Sequence, residues 1–155
     1  MNRRHFLVLG SSIFSYSEQV LAVDYRQSKP GAWKASSIND AAMALYGRDK
    51  FATIQKSREL ELIVPHGIVK DPENVPIAIR SNIKAKTLAI FQDANPKSLV
   101  AVFHMSEESI IEYEFTIKME FKGTVFAVLE GFDGNLYYTR EHIEVLTLSC
   151  MGSGE

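Results

Sequence analysis

Cysteine is nearly absent: Cys150 is the only one in 155 residues. A lone thiol can form neither a disulfide framework within the chain nor a zinc site that needs two thiolates from it. Basic runs are equally scarce, never longer than two residues, and 17 Lys and Arg face 19 Asp and Glu. The electrostatic footprint that a nucleic acid demands is missing. There is no Gly-rich phosphate loop, no G-x-S-x-G nucleophile elbow and no H-E-x-x-H motif, which excludes the familiar nucleotide and hydrolase sites. What is present is ordinary for one globular domain: 46% hydrophobic and 23% charged residues, with apolar positions spread along the whole length. That composition excludes disorder and low complexity, and the length suits a single core.

Residues 1–22 read as an export signal. Arg3-Arg4 is followed by His5-Phe6-Leu7, a modestly apolar stretch reaches Phe14, and Ser15-Tyr16-Ser17-Glu18 turns polar. Val20-Leu21-Ala22 offers suitable residues at −3 and −1, so cleavage is expected after Ala22, with twin-arginine export to the periplasm. Loss of Arg3, Arg4 and Glu18 leaves 15 basic and 18 acidic residues, a net charge of −3. No other stretch approaches the ~20 apolar residues of a membrane span.

Residues 23–58 are expected to form an arm and one helix. Pro30-Gly31 and the lack of a period predict an extended arm over 23–35, pinned by Trp33. A helix then starts at Ser37, with Asp40 three residues on, buries Ile38, Ala41, Ala42 and Leu45, and ends at Gly47. From Glu59 the period becomes two, and strands are expected at 59–64, 75–81, 86–91, 99–105, 110–120, 123–131 and 136–148. In 110–120, Ile111, Tyr113, Phe115, Ile117 and Met119 share one face, while Glu112, Glu114, Lys118 and Glu120 take the other. Phe132-Asp133-Gly134-Asn135 reads as a hairpin turn, and the gaps are too short for βαβ crossovers. The expected fold is mainly β: an antiparallel Ig-like sandwich of about seven strands over 59–148, with one short N-terminal helix.

Chemistry-bearing residues are dispersed. His66, His104 and His142 fall on different segments with no ligand spacing, so no metal site is expected. Glu107-Glu108 belongs to a turn and Glu112 and Glu114 to a wet strand face, where solvated charge is the simpler reading than acid–base catalysis. Cys150 remains, in the tail 149–155, where Ser149, Met151, Gly152, Ser153 and Gly154 surround it. Those residues predict a flexible, exposed arm with no cation beside the thiol. Two readings stay open: a tolerated tail cysteine, or a functional thiol, since an exported protein meets an oxidising compartment.

Taken together, Arg3-Arg4-His5-Phe6-Leu7, Ala41-Ala42-Met43-Ala44-Leu45-Tyr46-Gly47, Asn74-Val75-Pro76-Ile77, Ala94-Asn95-Pro96 and the terminal Cys150 resemble, in order and spacing, the SoxY family of sulfur carriers from the periplasmic thiosulfate-oxidising Sox system. The family arm is Gly-Gly-Cys-Gly-Gly, whereas Ser149 and Met151 flank the thiol here. The resemblance implies a carrier and not an enzyme, with sulfur intermediates attached at Cys150 and no catalytic residue, metal or cofactor. It implies a heterodimer with a SoxZ-like subunit, transient visits to loading, hydrolysing and dehydrogenase enzymes, and no nucleic acid or membrane partner after signal removal. Two alternatives remain: an Ig-like structural or interaction subunit without carrier activity, and a thiol-exchange protein using the same cysteine. Replacing Arg3 and Arg4 by Lys is expected to hold the precursor in the cytoplasm with its fold intact, as fractionation and immunoblotting would report; normal periplasmic accumulation would contradict the signal.

Overall fold

The computed structural model describes residues 23–146. The expected signal 1–22, with Arg3, Arg4 and the cleavage point, and the arm 149–155 bearing Cys150 lie outside the described residues.

The stretch expected as an extended arm is helical. The Asp24 carboxylate accepts from the N–H groups of Arg26 (2.9 Å) and Gln27 (3.3 Å) and starts α1 (Tyr25–Ser28). Pro30 takes the first position of α2 (Pro30–Lys34), where its missing N–H is no loss. Helices this short show no period, so the turn-forming residues that cap them read as loop. Trp33 does pin this region, packing against the core under the Arg26 guanidinium 4.2 Å above its ring. α3 (Ile38–Tyr46) is the expected helix: Ser37 Oγ accepts from Asp40 N–H at 3.1 Å and donates to Asp40 Oδ2 at 2.7 Å. Gly47, at φ 91° and ψ 148°, ends it in a conformation that only glycine adopts cheaply, and starts a further helix, α4 (Arg48–Ala52).

Nine strands follow among the described residues. The expected seven appear as β2 (Leu60–Ile63), β4 (Val75–Ser81), β5 (Ala85–Gln92), β6 (Leu99–His104), β7 (Ile111–Ile117), β8 (Gly123–Gly131) and β9 (Leu136–Val145). Two-residue strands β1 (Gln55–Lys56) and β3 (Ile68–Val69) are added, both parallel to β9. One sheet runs β1-β9-β8-β5-β6, with β3 also on β9, and the other β2-β4-β7. All other pairings are antiparallel, so the mainly β antiparallel sandwich stands, with four short helices in place of one.

Alternation sends Leu62, Ile77 and Ile79 from the small sheet against Leu88, Ile90, Ala127, Leu129 and Ile143 from the large one. The opposite face of the large sheet is also dry, because Ala41, Ala42 and Leu45 of α3 cover Ala89, Phe91, Phe126 and Val128. The β7 face reads as expected: Ile111 and Ile117 are buried, while Tyr113 and Phe115 pack on Phe103 of β6 with ring centroids 5.2 and 5.7 Å away. Gly134, at φ 87°, closes the β8–β9 hairpin, where Asp133 accepts from Asn135 and from Tyr137 Oη at 2.5 Å.

A polar chain bolts the helices to the large sheet. Thr87 of β5 donates to Glu130 of β8 at 3.5 Å, Lys50 of α4 pairs with the same carboxylate, and Tyr46 of α3 meets Thr87 Oγ1 at 3.3 Å. Burial, reinforced by the Glu130 charge and by Tyr25, pushes the Tyr46 phenol well above its ordinary value of 10.0, against the lowering effect of its hydrogen bond with Thr87. A folded-state value above the unfolded one contributes stability that is complete below pH 10.0 and lost as pH rises past it. The urea midpoint is therefore expected to fall more steeply above pH 10 in the wild type than in Tyr46→Phe, which should cost about 1 kcal/mol near neutrality. Parallel alkaline slopes would contradict this role for Tyr46.

Candidate functional site

The chain leaves the described residues from a fixed base. Strand β9 is held along one edge by β8, with Gly123 opposite Ile143, and along the other by β3, with Val69 opposite Val145. Ile143 and Val145 face the core and are almost fully buried. One residue further, Leu146 N–H donates to Val69 carbonyl oxygen at 2.8 Å, the last backbone bond among the described residues. Cys150 is four residues beyond that bond, a span of at most ~14 Å at 3.3–3.6 Å per residue. Any site at Cys150 therefore lies within that reach of the end of β9.

The other chemistry-bearing residues do not converge. His66 is exposed in the β2–β3 link. His104 ends β6, where its Nδ1 lies 3.4 Å from Tyr25 Oη, and His142 on β9 lies 3.2 Å from Glu144. Strands β5 and β8 stand between β6 and β9, so these two histidines are far apart. Glu107 and Glu108 are exposed in the β6–β7 connection. Glu112 and Glu114 line the outer face of β7 and share Arg80 of β4, at 3.2 and 3.6 Å. Among the described residues no three His, Cys, Asp or Glu side chains gather as a metal would need. Tyr137 and Tyr138, the aromatic residues beside the β8–β9 turn, are used within the chain. Tyr137 binds Asp133, and Tyr138 stacks on Phe126 at 4.9 Å.

Sequence reasoning missed one feature of the small sheet. The outer face of the small sheet is charged at one end, where Glu61, Arg80 and Glu112 stand in register across β2, β4 and β7. At the other end Ile63, Val64, Pro65, Pro76, Ala78 and Thr116 line an apolar groove of about 480 Å³. Pro76 is tolerated because β2 stops at Ile63, opposite Ala78, leaving Pro76 a neighbour only on the β7 side. The available signal was the outward lane of β2, which runs Glu59, Glu61, Ile63: an apolar residue where charge is expected.

Comparison with known proteins bears on the exit point. The family of the sulfur oxidation protein SoxY matches residues 43–150, a span that closes on Cys150. The sulfur carrier protein SoxY from Chlorobium limicola f. thiosulfatophilum superposes with a TM-score of 0.62 at 24% identity, over 72% of this chain and 97% of that one. A superoxide reductase (neelaredoxin) variant from Ignicoccus hospitalis superposes with a TM-score of 0.51 at 12% identity, over 62% and 97%. At these identities the likeness is one of fold. No curated protein matches the sequence.

Proposed function

The chain belongs to the SoxY family of sulfur oxidation proteins, and from that membership we propose that it is a covalent carrier of sulfur intermediates with Cys150 as the attachment point. The observation that carries this reading is the coincidence of the family match, which closes on Cys150, with the end of β9 as a rigid launching point four residues before it. A carrier needs a nucleophilic sulfur that can enter several enzymes in turn, and a thiol on a short terminal segment meets that need. Nothing in the described sandwich competes for the role, since the dispersed histidines and carboxylates assemble no site of their own.

Loading requires a second protein. Joining Cys150 Sγ to the outer sulfur of thiosulfate forms an S–S bond, releases the thiol proton and removes two electrons, so an electron-accepting enzyme must take part. No Lys, Arg or His stands in 149–155 to favour the thiolate, which supports activation inside that enzyme and not in the free carrier. Ser149 and Met151 replace the small neighbours of the family arm, and Met151 adds bulk that narrow enzyme channels would resist. Twin-arginine export would bring the thiol to a periplasmic Sox system, with a SoxZ-like subunit as the standing partner.

Incubation with thiosulfate and the cognate loading enzyme is expected to add a sulfur adduct to the wild type, read by intact mass, and none to Cys150→Ser, whose fold should be unaffected. An adduct on the serine variant, or none on the wild type, overturns the assignment. Light scattering should show a one-to-one complex when a SoxZ-like subunit is added; an unchanged monomer would contradict the partnership.

A further inference from the structure

Among the described residues the edges of the two sheets fall to β1, β2, β6 and β7. The first three are blunted, as sheet edges usually are. β1 and β2 have two and four residues, and β6 shifts register against β5 at Ile90 and Phe91. β7 is not blunted: its seven residues pair with β4 without a break, and they include no proline, no lysine and no charge on the inner face. An open, regular edge is a template for one more strand.

Bonding on one side of β7 fixes which backbone groups are free on the other, because successive residues of a strand direct their N–H and C=O groups to opposite edges. Met119 N–H donates to Pro72 carbonyl oxygen at 2.9 Å, on the β4 side. Pro76 has no N–H to give and stands opposite Thr116, so that pair cannot exchange bonds. The ladder to β4 therefore runs through Ile111, Tyr113, Phe115 and Ile117, and Glu112, Glu114 and Thr116 present their groups to the free edge. Asn95 closes the end of that edge: its Nδ2 donates to Lys118 carbonyl oxygen and its Oδ1 accepts from Glu120 N–H, both at 2.8 Å. One amide side chain does there what a neighbouring strand would do.

Side chains set the chemistry of the edge. On the outer face Glu112 and Glu114, with side chains 61% and 73% exposed, share the one guanidinium of Arg80, which leaves negative charge in excess. On the inner side Phe103, Tyr113 and Phe115 pack together at the open flank between β6 and β7 and stay half-buried. We propose that β7 receives an extended segment of another protein along 112–116, one in which Lys or Arg alternates with apolar residues. Its basic side chains lie beside Glu112 and Glu114, and its apolar ones cover the aromatic cluster. A second copy of β7 fits worse. Bonding all three free residues of each copy sets Glu114 against Glu114, and the shift that sets Glu112 against Lys118 meets a carbonyl that Asn95 already holds. The surface goes beyond the carrier reading and does not depend on Cys150.

Amide hydrogen exchange reads this edge residue by residue. In the free protein Glu112, Glu114 and Thr116 are expected to exchange quickly, and Tyr113 and Phe115 slowly. The probe is a blocked heptapeptide of alternating valine and lysine, with one of alternating valine and glutamate as control. When nine-tenths of the protein is bound by the lysine peptide, the three free amides should exchange about tenfold more slowly, and the glutamate peptide should leave them unchanged. Glu114→Pro removes an N–H from the free edge and none from the ladder, so it should abolish binding and keep the thermal midpoint. Glu112→Gln and Glu114→Gln should each weaken binding about threefold, and they keep the test valid if the proline variant unfolds. Absence of protection by the lysine peptide, equal protection by both peptides, or unweakened binding in the Gln variants overturns the proposal. Slow exchange of the three amides without peptide assigns the edge to a segment of this chain or, where it grows with protein concentration, to a second copy, and also overturns it. Cys150→Ser should leave the titration unchanged, so loss of the carrier reading would leave this surface standing.

Discussion

Strands β5 and β8 have no wet face. Leu88, Ile90, Ala127 and Leu129 point into the space between the sheets, while Ala89, Phe91, Phe126 and Val128 point the other way. Each fully buried large side chain contributes about 1.5–3 kcal/mol relative to exposure, so neither cover can be lost cheaply. The small sheet covers one face and the helices the other, and the polar chain Tyr46–Thr87–Glu130–Lys50 fixes the second cover in place. The three-layer arrangement follows from this double burial. So does the rigidity of β9, which lies beside β8 and inherits its position from it.

A rigid β9 gives the tail a defined origin. A thiol four residues past a bonded strand end lies within ~14 Å of it. In the proposed carrier the sandwich contributes geometry and the tail chemistry. Superoxide reductase sharing the architecture at 12% identity illustrates how little the fold alone dictates about the site grafted on it.

The strands were legible wherever one face is wet. Glu112 and Glu114 against Tyr113 and Phe115 is a pattern only a half-buried strand explains. Double burial made β5 and β8 readable as apolar runs but hid the helical cover they require. Helices α1 and α2 were missed because four and five residues carry no period, and β1 and β3 because tertiary pairing with β9 creates them, not local preference. Cys150 lies outside the described residues, and its reading rests on the family pattern, which matches through residue 150. The apolar groove was not legible, because it joins Ile63–Pro65 with Pro76 and Ala78 across two strands.

Whether Cys150 bears sulfur in the working protein decides the carrier assignment. Its most direct test is the intact mass of the protein purified from cells oxidising a reduced sulfur compound, measured before and after treatment with a thiol reductant. The carrier assignment predicts one or more sulfur-containing additions on the peptide that includes Cys150, all removed by the reductant. A native mass equal to that of the unmodified chain under those conditions, or an addition on any other residue, would contradict it.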